Sequence, residues 1–154
     1  MTVQSIEDLT LNIAQEVRIH APIETVFAAL IEQMGPQNES PDERPMPMKI
    51  ELWPGGRWYR DLGEDNGHFW GHVQAIKRPT LLEITGPLFA SSPLVSNLQY
   101  RLTPTHEGTL ISFHHSALGL LQSEQREGIT RGWTLLLERV RKSAEASTKH
   151  RAAG

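Results

Sequence analysis

The chain has 154 residues, 38% of them hydrophobic and 21% charged, with a formal net charge of −3. That length fits one domain, large enough to bury a core without a metal or disulfide as a staple. There is no cysteine, which excludes disulfides, thiolate metal sites and cysteine nucleophiles, and the mildly negative charge argues against a general binder of nucleic-acid backbone.

No run approaches the ~18 consecutive apolar residues of a membrane span, so no membrane partner is expected. Met1–Thr10 carries Glu7 and Asp8 and lacks a cationic segment followed by an apolar one. It therefore does not read as a secretory signal, and a cytoplasmic location is the expectation.

Leu11–His20 reads as a strand, with Ile13, Val17 and Ile19 on one face and Glu16, Arg18 and His20 on the other. Pro22 then suits the first turn of a helix, where its missing donor is not needed. Val26, Phe27, Leu30 and Ile31 carry helical spacing through Ile23–Gln33. Met34–Pro47 holds four of the ten prolines among polar residues and predicts a long loop.

Short strands with regular turn signals follow: Met48–Trp53, Arg57–Leu62, His68–Lys77, Leu81–Thr85, Leu94–Thr103 and Thr109–Leu118. This pattern predicts a meandering antiparallel sheet. The last element is a helix over about Ser123–Ala146, where Ile129, Trp133, Leu136, Val140 and Ala144 form an apolar stripe that Leu137 broadens. Ser123 is its expected N-cap, with Glu124 and Glu127 in the first turn. The expected organisation is an N-terminal tail (1–10), one domain (11–146) and a frayed C-terminal tail (147–154).

A sheet with one apolar face must be covered, and the final helix is the element long enough to cover it. The fold class is therefore α+β, a curved antiparallel sheet gripping a long C-terminal helix. Four segments then carry a family resemblance. They are Ile50-Glu51-Leu52-Trp53-Pro54-Gly55-Gly56-Arg57-Trp58, Gly71-His72-Val73 leading into Arg78-Pro79-Thr80-Leu81-Leu82, Gly108-Thr109 leading to His115-Ser116, and Gly132-Trp133-Thr134-Leu135-Leu136. Their order resembles bacterial homologues of the Hsp90 ATPase activator's C-terminal domain, a branch of the START-like, Bet v 1-like (SRPBCC) superfamily. Two features depart from that family: Met34–Pro47 lacks the usual second-helix pattern, and Arg60 stands where an aromatic is usual.

The resemblance implies a cavity between sheet and helix for an apolar or amphipathic small molecule. Period-two alternation supplies the candidate ligand-binding residues: Trp58, Arg60, Phe69, Gly71, Tyr100, Phe113 and His115 from the strands, with Trp133 from the helix. Leu62 shares the face of Trp58 and Arg60, and Gly71 is expected to leave empty volume. Arg60 would face apolar neighbours with no carboxylate on the inward faces, so a salt bridge at the sheet edge, water or a ligand anion must meet it. His115 is either an acid/base group or a core histidine held by its neighbours.

Other chemistry finds less support. His68 and His72 on one strand would stand about 13 Å apart at ~3.3 Å per residue, too far to share a zinc ion. Adjacent His114 and His115 point to opposite faces, so no metal site and no cofactor is expected. No Gly-x-Ser-x-Gly motif or phosphate-binding glycine loop occurs. Three functions remain: binding of an apolar or weakly anionic small molecule; a cyclase, dehydratase or hydrolase using His115 and Arg60; or a co-chaperone-like interaction module. The expected partner is a small apolar or amphipathic molecule, not nucleic acid, and a homodimer stays open.

Overall fold

The computed structural model describes residues 5–153. A 3-10 turn, Ile6–Leu9, leads into β1 (Thr10–Ile19) and α1 (Ile23–Met34). Then come β2 (Lys49–Ile50), β3 (Arg57–Gly63), β4 (Asn66–Lys77), β5 (Leu81–Gly86), β6 (Leu94–Thr105), β7 (Gly108–Gly119) and α2 (Ser123–Ala153). The strands form one seven-stranded antiparallel sheet in the order β1-β7-β6-β5-β4-β3-β2. Consecutive strands from β2 to β7 are neighbours, and β1 closes the far side by pairing with β7.

Register explains the core. Ile13 pairs with His115, His115 with Leu98, Leu98 with Ile84, and Ile84 with Val73. All five are buried, so a continuous row crosses five strands on one face. A parallel row runs through Phe113, Tyr100 and Leu82. Over this face lies α2, burying Ile129, Trp133, Leu136, Leu137, Val140 and Ala144. Beside it α1 contributes Val26, Phe27, Leu30 and Met34 to the same cluster. At about 1.5–3 kcal/mol per fully buried large apolar side chain, this shared face is the main source of stability.

Several boundaries differ from the sequence expectation. The helix α2 continues to Ala153, so most of the segment expected to fray is helical. Its first intrahelical bond runs from the Arg126 N–H to the Gln122 carbonyl, and the Gln122 N–H donates to Gln125 Oε1. Gln122 thus takes the capping place assigned to Ser123. The segment Met48–Trp53 pairs as a strand only at Lys49–Ile50, because the Trp53 N–H turns back onto the Glu51 carbonyl ahead of Pro54. Within 1–10, the expected tail, residues 6–9 form the 3-10 turn, and the Arg126 guanidinium donates to the carbonyls of Asp8 and Thr10.

The proline-rich segment between α1 and β2 is a loop with internal organisation. Buried Asn38 donates from Nδ2 to the Met46 carbonyl and accepts the Met46 N–H at its own carbonyl. A bridge between Glu39 and Pro45 ties the loop's two arms. These contacts close the loop on itself.

Candidate functional site

Between the two arms of this loop, the β3–β4 end of the sheet and the first half of α2 lies a pocket of about 330 Å³. Its floor is Trp58 and Trp70, its sides are Asn38, Met46, Phe89, Ile129, Trp133, Leu135 and Leu136, and its more exposed mouth carries Glu39, Ser40, Gln125 and Arg139. This volume is at the small end of the range for small-molecule sites, and an apolar wall with few polar groups is typical of them.

Why space survives there follows from α2. Gly128 and Gly132, one turn apart, both line the pocket, and a Cβ built on either meets nothing within 4 Å. A glycine inside a helix costs about 0.5–1 kcal/mol relative to alanine. Both line the pocket and add no side chain to fill it.

The three tryptophans of the wall share a second property. Trp58 Nε1–H donates to the Met34 carbonyl at 2.8 Å, Trp70 Nε1–H to His68 Nδ1 at 3.1 Å, and Trp133 Nε1–H to His115 Nδ1 at 3.0 Å. An indole has a single donor and no acceptor. With every donor engaged, these three rings present only carbon to the pocket. Trp70 stands edge-on to Trp58 at 5.0 Å between centroids and to Phe89 at 5.9 Å, so these rings brace each other.

Of the residues singled out from sequence, the structure brings Trp58 and Trp133 to this pocket and places the others elsewhere. Tyr100 and Phe113 lie in the closed core, 4.9 Å apart by ring centroids, and the Tyr100 hydroxyl is buried without a hydrogen-bond partner. Burial alone raises the Tyr100 pKa far above its usual value.

His115 is fully buried. Because Trp133 donates to Nδ1, the proton sits on Nε2, which donates to Ser96 Oγ at 2.9 Å. Desolvation, followed by the neighbouring His114, lowers the His115 pKa to about 4. His115 is thus a core histidine satisfied on both nitrogens, and neither it nor Ser96 lines the pocket.

Phe69 was expected inward but is 39% exposed and packs on His72. The cause is a β-bulge: Trp58 pairs with Gly71 but Tyr59 with Phe69, which leaves Trp70 as the extra residue. A bulge reverses the alternation beyond it, turning Trp70 inward and Phe69 outward. Gly71 is buried but leaves no empty volume, since a Cβ there would stand 2.8 Å from the Thr85 carbonyl oxygen. Its glycine serves close strand approach, with Gly86 packed against it.

Alternation keeps Arg60 on the face of Trp58, opposite His68, yet outside the pocket lining. Its Nη1 is buried without a hydrogen-bond partner, and among the described residues it forms no ion pair. Leu62, two residues further, is 63% exposed because pairing is irregular between Asp61 and Gly63. Among the described residues no cluster of three or more His, Asp or Glu could hold a metal ion, and no helix is long and apolar enough to cross a membrane.

Sequence reasoning missed Trp70, Phe89, Glu39, Gly128 and Arg139. The clearest available signal was the pair Gly128 and Gly132 within an otherwise apolar helical stripe. Phe89 and Glu39 sit on connections without periodicity, which gave no cue.

Comparison with known proteins places this geometry in context. No curated protein matches the sequence. Among solved structures, protein MLL2253 from Mesorhizobium loti is 21% identical with a TM-score of 0.65, covering 88% of this chain and 98% of its own. Bacillus halodurans protein BH1534 is 22% identical with a TM-score of 0.65, covering 89% of this chain and 99% of its own. The structure titled Ara h 8.0201 is 14% identical with a TM-score of 0.65, covering 89% and 99%. At such identities the likeness concerns the fold, which is the Bet v 1-like, START-like helix-grip arrangement. The family model described as "Activator of Hsp90 ATPase homolog 1-like protein" matches residues 20–145, and the chain belongs to that family.

Proposed function

We propose that this protein binds a small, largely apolar molecule in the pocket between α2 and the β3–β4 end of the sheet. The observation that carries the reading is the pair Gly128 and Gly132, which line the pocket and put no side chain into it. Nothing in the fold's connectivity requires glycine there, and alanine would favour the helix. The ring-lined walls, with all three indole donors engaged, suit an apolar body and offer it no competing polar contact. An acid–base enzyme is less well supported, because His115 and Ser96 are sealed in the core away from this space.

The test uses a neutral fluorescent probe, phenylnaphthylamine, titrated into the wild type and Gly132→Leu. Leucine at 132 projects into the open space while improving helix propensity. Saturable probe emission in the wild type, lost in a folded Gly132→Leu, is expected. Equal emission from both proteins would reject the pocket as the binding site.

A further inference from the structure

Resting on the pocket reading, the geometry points to a monocarboxylate with an apolar body as the occupant, its carboxylate held by Arg139 at the pocket mouth. Arg139 is the single basic residue of the lining, and its side chain is 18% exposed. A guanidinium has five N–H donors. Here Nε donates to Gln33 Oε1 at 3.1 Å, and among the described residues neither Nη1 nor Nη2 has a hydrogen-bond partner. The carboxylate of Glu39 approaches Nε to 4.0 Å, too far for a hydrogen bond. The result is a partly desolvated cation, fixed by Gln33 and left with its two-pronged end unused. Burial lowers its pKa while Glu39 and Glu43 oppose that effect, which is the electrostatic sign of an incompletely compensated charge.

The remaining walls tell where a polar group of the ligand can go. The indole donors of Trp58, Trp70 and Trp133 are all engaged internally, so a charged group deeper in the pocket would go unpaired. At the mouth, a planar carboxylate matches the parallel donors of Nη1 and Nη2. One negative charge is favoured over two because Glu39 and Glu43 already act on Arg139; a phosphate dianion would add to a locally negative site.

Calorimetric titration of three ligands with one apolar body, naphthoate, naphthalenemethanol and naphthyl phosphate, tests this at neutral pH. In the wild type, naphthoate should bind about tenfold more tightly than the alcohol, the scale of a charge-assisted hydrogen-bonded pair, and the phosphate no more tightly than the alcohol. Arg139→Gln should abolish the preference for acid over alcohol. Glu39→Gln, which removes the competing carboxylate without touching the core, should tighten naphthoate and widen that preference. Equal wild-type affinity for acid and alcohol, with both lost in Gly132→Leu, would overturn the carboxylate assignment while the apolar-pocket reading stands. Tighter binding of the phosphate than of naphthoate would also overturn it. Failure of all three ligands to bind would remove both readings.

Discussion

On the β5–β6–β7 side of the sheet, Tyr100 and Phe113 are packed into one buried cluster with Leu136, Leu137 and Val140, and buried His115 packs edge-on to Trp133. On the β3–β4 side, half-buried Trp70 and the inner edge of buried Trp58 border a pocket. Both regions lie on one face of one sheet under one helix. The helix α2 brings different side chains to the two: Leu137 and Val140 are buried on the packed side, whereas Gly128 and Gly132 add none to the pocket. Trp133 stands at the boundary. It lines the pocket, packs tilted against Phe113 at 5.0 Å between centroids and donates to His115. A tightly packed core therefore fixes one wall of an open site, the usual arrangement where a site needs preorganisation.

The sharpest way to break this comparison is to truncate one aromatic on each side. Phe113→Ala removes a side chain in contact with Tyr100 and Trp133 inside the closed core, and should cost about 3–5 kcal/mol. Trp70→Ala removes a ring whose one side already faces the pocket, so it loses fewer packing contacts and should cost clearly less despite the larger residue. Urea denaturation of both variants checks the order. Equal losses would mean that the β3–β4 side is packed as tightly as the other.

Next in size is the response to acid. An unfolded histidine titrates near its ordinary 6.5, while folded His115 is lowered to about 4, chiefly by desolvation. Between those values the unfolded chain binds a proton that the folded protein refuses, so stability is full above about pH 6.5 and falls as the pH drops towards 4. The whole shift corresponds to a loss on the order of 3 kcal/mol. Protonation would also make both ring nitrogens donors, and the Trp133 N–H would lose its acceptor on Nδ1. His115→Gln should flatten the stability profile from pH 6.5 to 4.5. Parallel profiles for the two proteins would place the acid sensitivity elsewhere.

How much of this was legible in the sequence divides along the same line. Period-two alternation put Trp58, Tyr100, Phe113 and His115 on the inner face, and the structure buries all four, because uninterrupted strands keep their phase. The phase broke at Trp70, where one extra residue in β4 exchanges inside and outside for its neighbours. Nothing in the local pattern announces such a bulge. Volume was misassigned for a related reason: Gly71 faces inward, but the carbonyl of Thr85 from the paired strand occupies the place of its side chain. A glycine in a sheet is crowded by neighbouring backbone, whereas a glycine on a helix face is crowded only by what packs against that face. Charge at the mouth was missed because Arg139 and Glu39 come together across a loop that carries no periodic signal.

The smallest effect expected carries the sharpest contrast. Gly132→Ala places one methyl group where nothing lies within 4 Å, so it introduces no clash, and its helical position needs no glycine conformation. Relative to glycine, alanine restricts the unfolded chain and shields helix backbone, which should stabilise the protein by about 0.5–1 kcal/mol. Urea midpoints measured on both proteins give the sign directly, provided the slope with denaturant is unchanged. The packed side offers the control: Ala144 is fully buried on the same helix, and Ala144→Gly should destabilise by at least the same propensity difference, with added loss of packing. A loss at 144 larger than the gain at 132 would express in free energy the contrast between the open and closed ends of one interface. A destabilised Gly132→Ala would show instead that the helix glycine is required by its surroundings, and the explanation of the pocket by missing side chains would fail.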